Sequence, residues 1–327
     1  MKTSKRQFML TAAAISLLSV AATSVQAQTW PQRPIRVVVT FAPGGSSDIV
    51  ARLIQPGLQE KLGQPVIVEN KPGGGSTIGG YEVAKAAPDG YTLLLSNTAP
   101  ISISPFMLEK PTYDPIKSFT HIAYIGSVPN VFVVHPSVPA RTLPELVQWI
   151  KGQSKPVNYG SGGVGSIGHV VGEMFKQQQG LNMEHVPYRG SAPMHSDLLG
   201  GTLQFAVDTL TQNVPFMKDK KLHGLAVTSR ARMPLAPDLP TVGEAGFAKL
   251  LAENFLGISA PAGVPQEVID KVHKAVSEVI AQPAILKRFE ELGIAVDPMS
   301  QPEFAAFVGK QVADWGPAVK ATGAKLN

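Results

Sequence analysis

Short apolar runs that alternate with glycine-rich turns and amphipathic segments constrain the fold of this chain most. Residues 35–41 (IRVVVTF) form a continuous β-branched run, which is typical of a strand buried on both faces of a parallel sheet. A glycine turn and a predicted helix to Lys61 follow it. Further strands are predicted at residues 66–69 and 91–95, with a helix over residues 78–87 between them. This β-α-β-α-β order predicts a parallel sheet with right-handed crossovers.

The same pattern restarts in the second half of the chain. Capping boxes at Thr142–Glu145 and Ser300–Glu303 mark two helix starts, and most of the chain beyond residue 265 is predicted to be helical. The sequence therefore predicts an α/β protein with two units, whose glycine-rich turns follow the carboxyl ends of strands, where ligands bind in such sheets. Strands of the second unit are predicted at residues 131–135, 157–159, 183–186, 203–208 and 222–228.

The first 27 residues have the pattern of a secretory signal peptide. Lys2, Lys5 and Arg6 precede an apolar stretch at residues 10–22, which is too short to span a bilayer, and residues 25–27 (VQA) fit a small-residue cleavage site. We therefore expect a mature chain that begins at Gln28 and is soluble in the periplasm. The export route stays open, because residues 4–8 resemble a twin-arginine signal with lysine in place of one arginine.

Composition excludes several classes of protein. The whole chain has 29 basic and 24 acidic residues, and the first 27 residues hold three of the basic ones, so the predicted mature chain has a net charge of +2. No dense basic run with interleaved aromatic residues occurs, which argues against nucleic acid as a partner. The chain has no cysteine, and thus no disulfide, thiol chemistry or cysteine-linked lipid anchor.

Residues 163–168 (GVGSIG) match the glycine fingerprint of dinucleotide-binding folds, and Glu184 lies 21 residues beyond Gly163. The fingerprint follows the second strand of the second unit instead of a first strand, and Glu184 lies inside the next strand. Glycine loops before helices have another use, because their backbone N–H groups and the helix dipole attract anions. Such junctions occur three times, at residues 41–48, 70–78 and 160–169. Together they predict a cleft that binds a small anion.

Other chemistries find little support in the sequence. There is no P-loop, no serine in a nucleophile elbow and no His-Glu-x-x-His motif, so we expect no cofactor, no metal and no catalysis. The pair Ser166 and His169 keeps an α/β enzyme as an alternative, and His169 could face either the cleft or solvent. Asp48 and Asp208, both near strand ends, could each accept from a ligand, and Asp48 could equally cap a helix. Arg189 could pair with a carboxylate or lie on the surface.

Eight motifs stand in an order that resembles one family, the extracytoplasmic solute receptors of tripartite tricarboxylate transporters, also called the Bug family. The resemblance extends over essentially the whole chain beyond residue 27. The motifs are FAPGGSSD at 41–48, NKPGGG at 70–75, PDGYTL at 88–93, NYGS with GVGSIGH at 158–169, VPYRG at 186–190, DLLGG at 197–201, LAVTS at 225–229 and LPTVGEAG at 239–246.

The resemblance implies a two-domain periplasmic-binding-protein fold, similar to type II, with the ligand cleft between two mainly parallel sheets. The domains would be residues 28–124 with 229–327, and residues 125–228, joined near residues 123–128 and 228–230. Such a receptor is a monomer that captures a small mono-, di- or tricarboxylate or an amino acid and delivers it to membrane permease subunits. A sensory co-receptor that presents its ligand to a signalling protein is the alternative.

The resemblance also carries over a set of candidate ligand-binding residues. We expect Gly45 to adopt a positive φ, which glycine tolerates. Arg189 stands where lysine is common in the family, and residues 205–209 (FAVDT) are an unusual form of their strand, which leaves the identity of the ligand open. The candidates are Phe41, Gly44, Gly45, Ser46, Asp48, Ser76, Ser96, Thr98, Ser161, Gly165, Ser166, His169, Arg189 and Asp208.

Overall fold

Nine strands and ten α-helices make up the part of the chain that the computed structural model describes, residues 30–326. The predicted signal peptide at residues 1–27 lies outside the described residues. From Arg33 onward the chain folds as one compact unit. The strands are β1 (Ile35–Val39), β2 (Val66–Asn70), β3 (Thr92–Asn97), β4 (Phe119–Val134), β5 (Val157–Ser161), β6 (Met183–Pro187), β7 (Phe205–Thr209), β8 (His223–Val227) and β9 (Glu253–Pro261).

The helices follow the strands in the alternating order that the sequence predicts. They are α1 (Ser46–Leu62), α2 (Thr77–Ala84), α3 (Ser104–Met107), α4 (Leu143–Lys151), α5 (Ile167–Gln179), α6 (Ser191–Leu199), α7 (Leu210–Lys218), α8 (Gln266–Ile280), α9 (Pro283–Glu291) and α10 (Gln301–Thr322). None of the described helices combines the length and apolar character needed to cross a bilayer.

The sheet consists of two parallel blocks that antiparallel strands join. Its strand order is β2-β1-β3-β9-β4-β7-β5-β6, and β8 pairs with β4 beside this path. Strand β1 is parallel to β2 and β3, and β5 is parallel to β6 and β7. Every pairing of β4 and β9 is antiparallel. The prediction of mainly parallel sheets therefore holds for each block but misses the antiparallel strands between them.

Strand β4 is longer than the sequence predicts and passes from one block to the other. Its residues 119–129 pair with β9, and residues 130–134 pair with β7 and β8. The prediction began only at residue 131, because Gly126 and Pro129 are residues that normally interrupt a strand. Strand β9 was not predicted at all. The assignment of the chain to two domains stays a prediction.

The long C-terminal helix α10 connects the cores of the two blocks. Phe304 packs with Tyr124 and Phe255 in one cluster, while Trp315 belongs to the cluster that contains Phe132. The predicted capping box at Ser300 is confirmed, because its side chain and that of Glu303 exchange hydrogen bonds with the backbone. The Thr142 box is only half formed: Thr142 accepts from the Glu145 N–H, but the Glu145 carboxylate accepts from the Arg141 N–H.

Candidate functional site

A cavity of about 170 Å³ lies where strand ends from both parallel blocks come together. Both glycine-rich loops at residues 41–48 and 160–169 contribute to its wall, as the sequence predicts. The loop at residues 70–78 does not. The wall consists of residues 41–47, 97, 99, 130, 162, 166–168, 189–193, 207–209, 212 and 254.

Four helices begin at this cavity. The N-cap residues of α1, α5, α6 and α7 are Gly45, Ser166, Gly190 and Thr209, and all four belong to the cavity wall. The first N–H groups of a helix have no partner within the helix, and each helix N-terminus carries about half a positive charge. The cavity is therefore lined by backbone donors in a positive field, which suits a small anion.

The first glycine loop is held by a buried carboxylate. Asp48 accepts hydrogen bonds from the Gly44 N–H at 2.9 Å, from Arg52 Nε at 2.9 Å and from Asn70 Nδ2 at 2.9 Å. Burial by itself would raise the pKa of Asp48, but these three hydrogen bonds outweigh it and hold the pKa below its usual value. Asp48 is therefore ionised at neutral pH. It stabilises the loop through its hydrogen bond to Gly44 and does not belong to the cavity wall.

The expected positive φ belongs to Gly44 and not to Gly45. Gly44 has φ of +85°, whereas Gly45 has φ of −75° and ψ of 166°, the extended conformation of an ordinary N-cap residue. The expectation for Gly45 is therefore wrong. Gly44 with its positive φ immediately precedes Gly45, which is the N-cap residue of α1 and belongs to the cavity wall.

The second glycine loop rests on a buried network of two serines and two histidines. Ser166 Oγ accepts from the His169 N–H at 3.2 Å and donates to Ser161 Oγ at 3.1 Å, and Ser161 Oγ lies 2.7 Å from His185 Nε2. The Gly165 N–H donates to His169 Nδ1 at 3.2 Å. The two imidazole rings stack with centroids 4.0 Å apart. Of these residues, only Ser166 reaches the cavity wall.

Burial keeps both imidazoles neutral. It lowers the pKa of His169 to about 4 and that of His185 to about 3, the latter also because a protonated His169 would repel a second positive charge on His185. His169 is only 6% exposed, so the solvent-facing orientation considered from the sequence is wrong, and the residue does not belong to the cavity wall. Its ring makes no hydrogen bond to Ser166, so the serine–histidine pair suggested by the sequence is not formed.

Asp208 and Arg189 are the two charged residues of the cavity wall among the described residues. Asp208 is 5% exposed and accepts from Ser191 Oγ at 2.8 Å and Asn213 Nδ2 at 3.0 Å, with His195 Nε2 at 3.3 Å. Side-chain donors of the protein thus already occupy both oxygens of this carboxyl group. Arg189 is exposed and forms no ion pair within residues 30–326. The charge that remains available to a ligand is positive.

Three other candidates lie outside the cavity wall. Ser96 is fully buried and accepts from Ser259 Oγ at 2.9 Å, and Thr98 Oγ1 accepts from the Phe255 N–H at 3.1 Å. Both side chains tie β3 to β9. Ser76 is buried with φ of +82°, and its hydroxyl has no hydrogen-bond partner among the described residues. A ligand-binding role for these three, and for the other candidates, stays a prediction.

The structure adds polar residues to the cavity that sequence reasoning missed. The sequence could have indicated Asn97 as a cavity residue, because it is the last residue of β3 and lies between the candidates Ser96 and Thr98. Asn130 and Asn254 could not, because they lie in strand segments that were not predicted. Gln212, in the first turn of α7, donates from Nε2 to the Gly44 carbonyl oxygen at 2.7 Å. This hydrogen bond joins the two blocks across the cavity.

The dinucleotide interpretation of the second glycine loop finds no support in the geometry. Glu184 lies near the start of β6, opposite Asn158, and does not belong to the cavity wall. A ribose-binding acid belongs at the end of its strand. No group of three histidine, aspartate or glutamate side chains in the described part of the chain could hold a metal ion.

Comparison with known proteins identifies the family. A model described as "Tripartite tricarboxylate transporter family receptor" matches residues 50–324. Protein BugT of Bordetella pertussis is 32% identical over 306 residues, which cover 93% of this chain and 94% of BugT.

Solved structures agree with this assignment. MatC from Rhodopseudomonas palustris with bound malate is 29% identical with a TM-score of 0.84, and the match covers 89% of this chain and all of MatC. A second R. palustris protein, with adipate, is 31% identical with a TM-score of 0.84, covering 90% of this chain and 98% of that one. The α/β periplasmic-binding-protein fold predicted from the sequence is confirmed, and the chain belongs to the receptor family of the tripartite tricarboxylate transporters.

Proposed function

We propose that this protein is a periplasmic receptor that captures one small carboxylate in the cavity and delivers it to the permease subunits of a tripartite tricarboxylate transporter. The observation that carries the proposal is the convergence of four helix N-termini on one small cavity. Their combined field favours an anion, and unpaired Arg189 adds a full positive charge at the rim. Malate and adipate in the related structures support a carboxylate as that anion.

The ligand carboxylate lies between the N-termini of α1 and α5, where Gly45, Ser46 and Gly168 offer backbone N–H groups. At Gly45 the missing side chain leaves room for a ligand oxygen beside the backbone, whereas position 168 needs glycine because a β-carbon there would clash with the Val207 carbonyl group. Arg189 binds the far end of the ligand or a second carboxylate. Of the candidates outside the wall, Asp48, Ser161, Gly165 and His169 hold the two loops in shape, and Ser96 and Thr98 tie β3 to β9.

Ligand binding closes two domains, residues 28–124 with 229–327 and residues 125–228. The change of pairing partner within β4, between residues 129 and 130, supports a crossing at this point. The hydrogen bond from Gln212 to Gly44 supports the view that the described conformation is the closed one. In such proteins, hinges at the crossings absorb the rotation of the domains.

The protein acts without catalysis, as a monomer, and without a cofactor or metal. Ser161 and His185 have the 2.7 Å separation of a nucleophile and its base, but a histidine with a pKa of about 3 is a weak base. Ser161 is also fully buried outside the cavity wall, where no substrate reaches it. The N-terminal export signal takes the protein to the periplasm, where it functions in soluble form.

Titration calorimetry with matched carboxylates and amides tests the proposal. We expect succinate, glutarate or a related carboxylate to bind with one site per chain, and the corresponding uncharged diamide to bind at least about 100-fold more weakly, the scale of losing a charged hydrogen-bond partner. Equal affinity for the acid and its amide would overturn the proposed anion site. Failure of every two- to six-carbon carboxylate to bind would overturn the proposed function.

A further inference from the structure

Three asparagine side chains line the cavity, and one of them differs from the other two. Asn97 donates from Nδ2 to Ser47 Oγ at 3.2 Å and accepts from the Ala99 N–H, and Asn254 accepts from the Thr98 N–H at 3.3 Å. The side-chain amide of Asn130 makes no hydrogen bond to any residue of the described chain, and its nitrogen is closed off from solvent.

The unpartnered amide of Asn130 is deeply buried. The residue is 2% exposed, at the point in β4 where the strand changes its pairing partner. Its backbone is fully bonded, because its N–H donates to Thr228 Oγ1 at 2.8 Å and its carbonyl accepts from the Thr228 N–H at 2.8 Å. Burying an amide without partners costs about 1–3 kcal/mol in proteins. The buried hydroxyl groups of Thr40, Ser76 and Ser102 also lack partners among the described residues, but of these four residues only Asn130 belongs to the cavity wall.

We infer that Asn130 is a specificity-determining residue, which selects carboxylates that carry a hydroxyl group over those that do not. The inference rests on the proposed function, because it assumes that a carboxylate occupies the cavity. A carboxamide offers both a donor and an acceptor. Both are unused in Asn130, and its nitrogen becomes accessible to a ligand only when the side chain rotates towards the cavity. The complementary ligand group therefore also donates and accepts. A hydroxyl group does both, whereas a methylene group does neither and a second carboxylate can only accept.

The charges around the cavity agree with a ligand whose carboxylate groups and hydroxyl group bind at different positions. The N-termini of α1 and α5 and the guanidinium of Arg189 provide the positive field for carboxylate groups. Asn130 lies in β4, where no cation lines the cavity among the described residues. A neutral polar group of the ligand fits this position, because a charge there would lack a counter-charge. The cavity therefore has an anionic end and a neutral hydrogen-bonding position.

The test compares the affinities of ligand pairs that differ by one hydroxyl group, for wild type and for Asn130→Leu. Leucine has approximately the size of asparagine but lacks both hydrogen-bonding groups. The probes are D- and L-malate against succinate, and the hydroxylated and unsubstituted five- and six-carbon dicarboxylates, measured by calorimetry. We expect wild type to prefer the better hydroxylated member by about tenfold or more, the scale of one to two hydrogen bonds. In Asn130→Leu this preference falls to about unity while the unsubstituted acid still binds.

A second measurement separates ligand recognition from a structural role. Because the wild-type amide is unpaired without ligand, we expect Asn130→Leu to melt at the same or a higher temperature than wild type in the absence of ligand. The matched control is Asn213→Leu, which removes a buried amide that bonds Asp208 and the Thr209 carbonyl, and it should melt at a lower temperature. If Asn130→Leu fails to fold, Asn130→Ala provides the same ratio of affinities.

The possible outcomes are distinguishable. Wild type that binds carboxylates but ignores the hydroxyl group would overturn the role of Asn130 and leave the proposed function intact, as would a preference that survives in both Asn130 variants. Such a result would mean that water satisfies the amide. Absence of any carboxylate binding to wild type would overturn the proposed function, and the inference with it.

Discussion

A matched pair of substitutions at Gly45 tests whether the cavity holds an anion. Gly45→Asn and Gly45→Asp add side chains of nearly equal size, which differ by one negative charge. A β-carbon at this position meets only the Ala42 carbonyl oxygen, at 3.6 Å, which is an ordinary contact. The backbone of Gly45 already has the extended conformation that asparagine and aspartate adopt at N-caps. Both variants should therefore fold with a stability close to that of wild type.

The difference between the two variants measures the charge of the ligand. Gly45 lies in the cavity wall, so its new carboxylate comes within about 5 Å of a ligand carboxylate. At an effective dielectric constant of about 20, two like charges at this distance repel by about 3 kcal/mol, which corresponds to a loss of affinity of about 200-fold. We expect Gly45→Asn to weaken binding through bulk alone, and Gly45→Asp to bind about two orders of magnitude more weakly than Gly45→Asn.

Titration calorimetry with the tightest-binding carboxylate measures this difference, and thermal melting shows that both variants fold. The control pair is Gly243→Asn and Gly243→Asp, because a β-carbon at Gly243 meets Thr241 Oγ1 at the same 3.6 Å but the residue is outside the cavity wall. The control variants should bind like wild type. Equal affinities of Gly45→Asn and Gly45→Asp would refute the anion site at this loop.

Further predictions concern the second loop, the closed conformation, acid stability and the rejected dinucleotide site. Ser166→Ala should lower the free energy of unfolding by about 1 kcal/mol in urea titrations, because Ser166 caps α5. Gln212→Ala should leave folding intact and shift the ligand-free protein towards an open form, seen as a larger radius of gyration in solution scattering. Burial depresses the pKa of His169 to about 4 and that of His185 to about 3, so below about pH 6.5 the unfolded chain binds more protons than the folded chain. The free energy of unfolding should therefore be highest above this pH and should fall on acidification by up to about 1.4 kcal/mol per pH unit for each histidine. In His185→Phe, acid unfolding followed by circular dichroism should show a smaller fall. Glu184→Ala should leave carboxylate binding unchanged in calorimetry, and a large loss would restore the dinucleotide hypothesis.

Local sequence patterns predict the two parallel blocks of the fold but not the strands that join them. The β1 and β3 runs are short and mostly apolar, so their burial is visible in the sequence, whereas β2 is an edge strand in which only Val66 is buried. The first half of β4 contains glycine and proline, whose local preferences oppose a strand. Antiparallel pairing with β9 overrides these preferences. In the sheet β9 lies between β3 and β4, but along the chain it is at least about 120 residues away from both, which no local pattern reveals.

The candidate site shows the same limit. Glycine loops at strand ends identify Gly44, Gly45 and Ser166, because such loops have a local signature before a helix. Ser96 became a candidate through the family resemblance, yet successive side chains of a strand point to opposite faces, and its neighbour Asn97 reaches the cavity instead. The unpartnered amide of Asn130 depends on what the tertiary structure leaves empty beside it, which sequence alone does not contain.

Mass spectrometry of the compound released from protein isolated under native conditions tests the central claim most directly. We predict one small carboxylate per chain, of a size that fits a cavity of about 170 Å³, and carrying a hydroxyl group. A nucleotide, a flavin, a cation or an uncharged sugar in stoichiometric amount would contradict the account of this cavity as a carboxylate site formed by four helix N-termini.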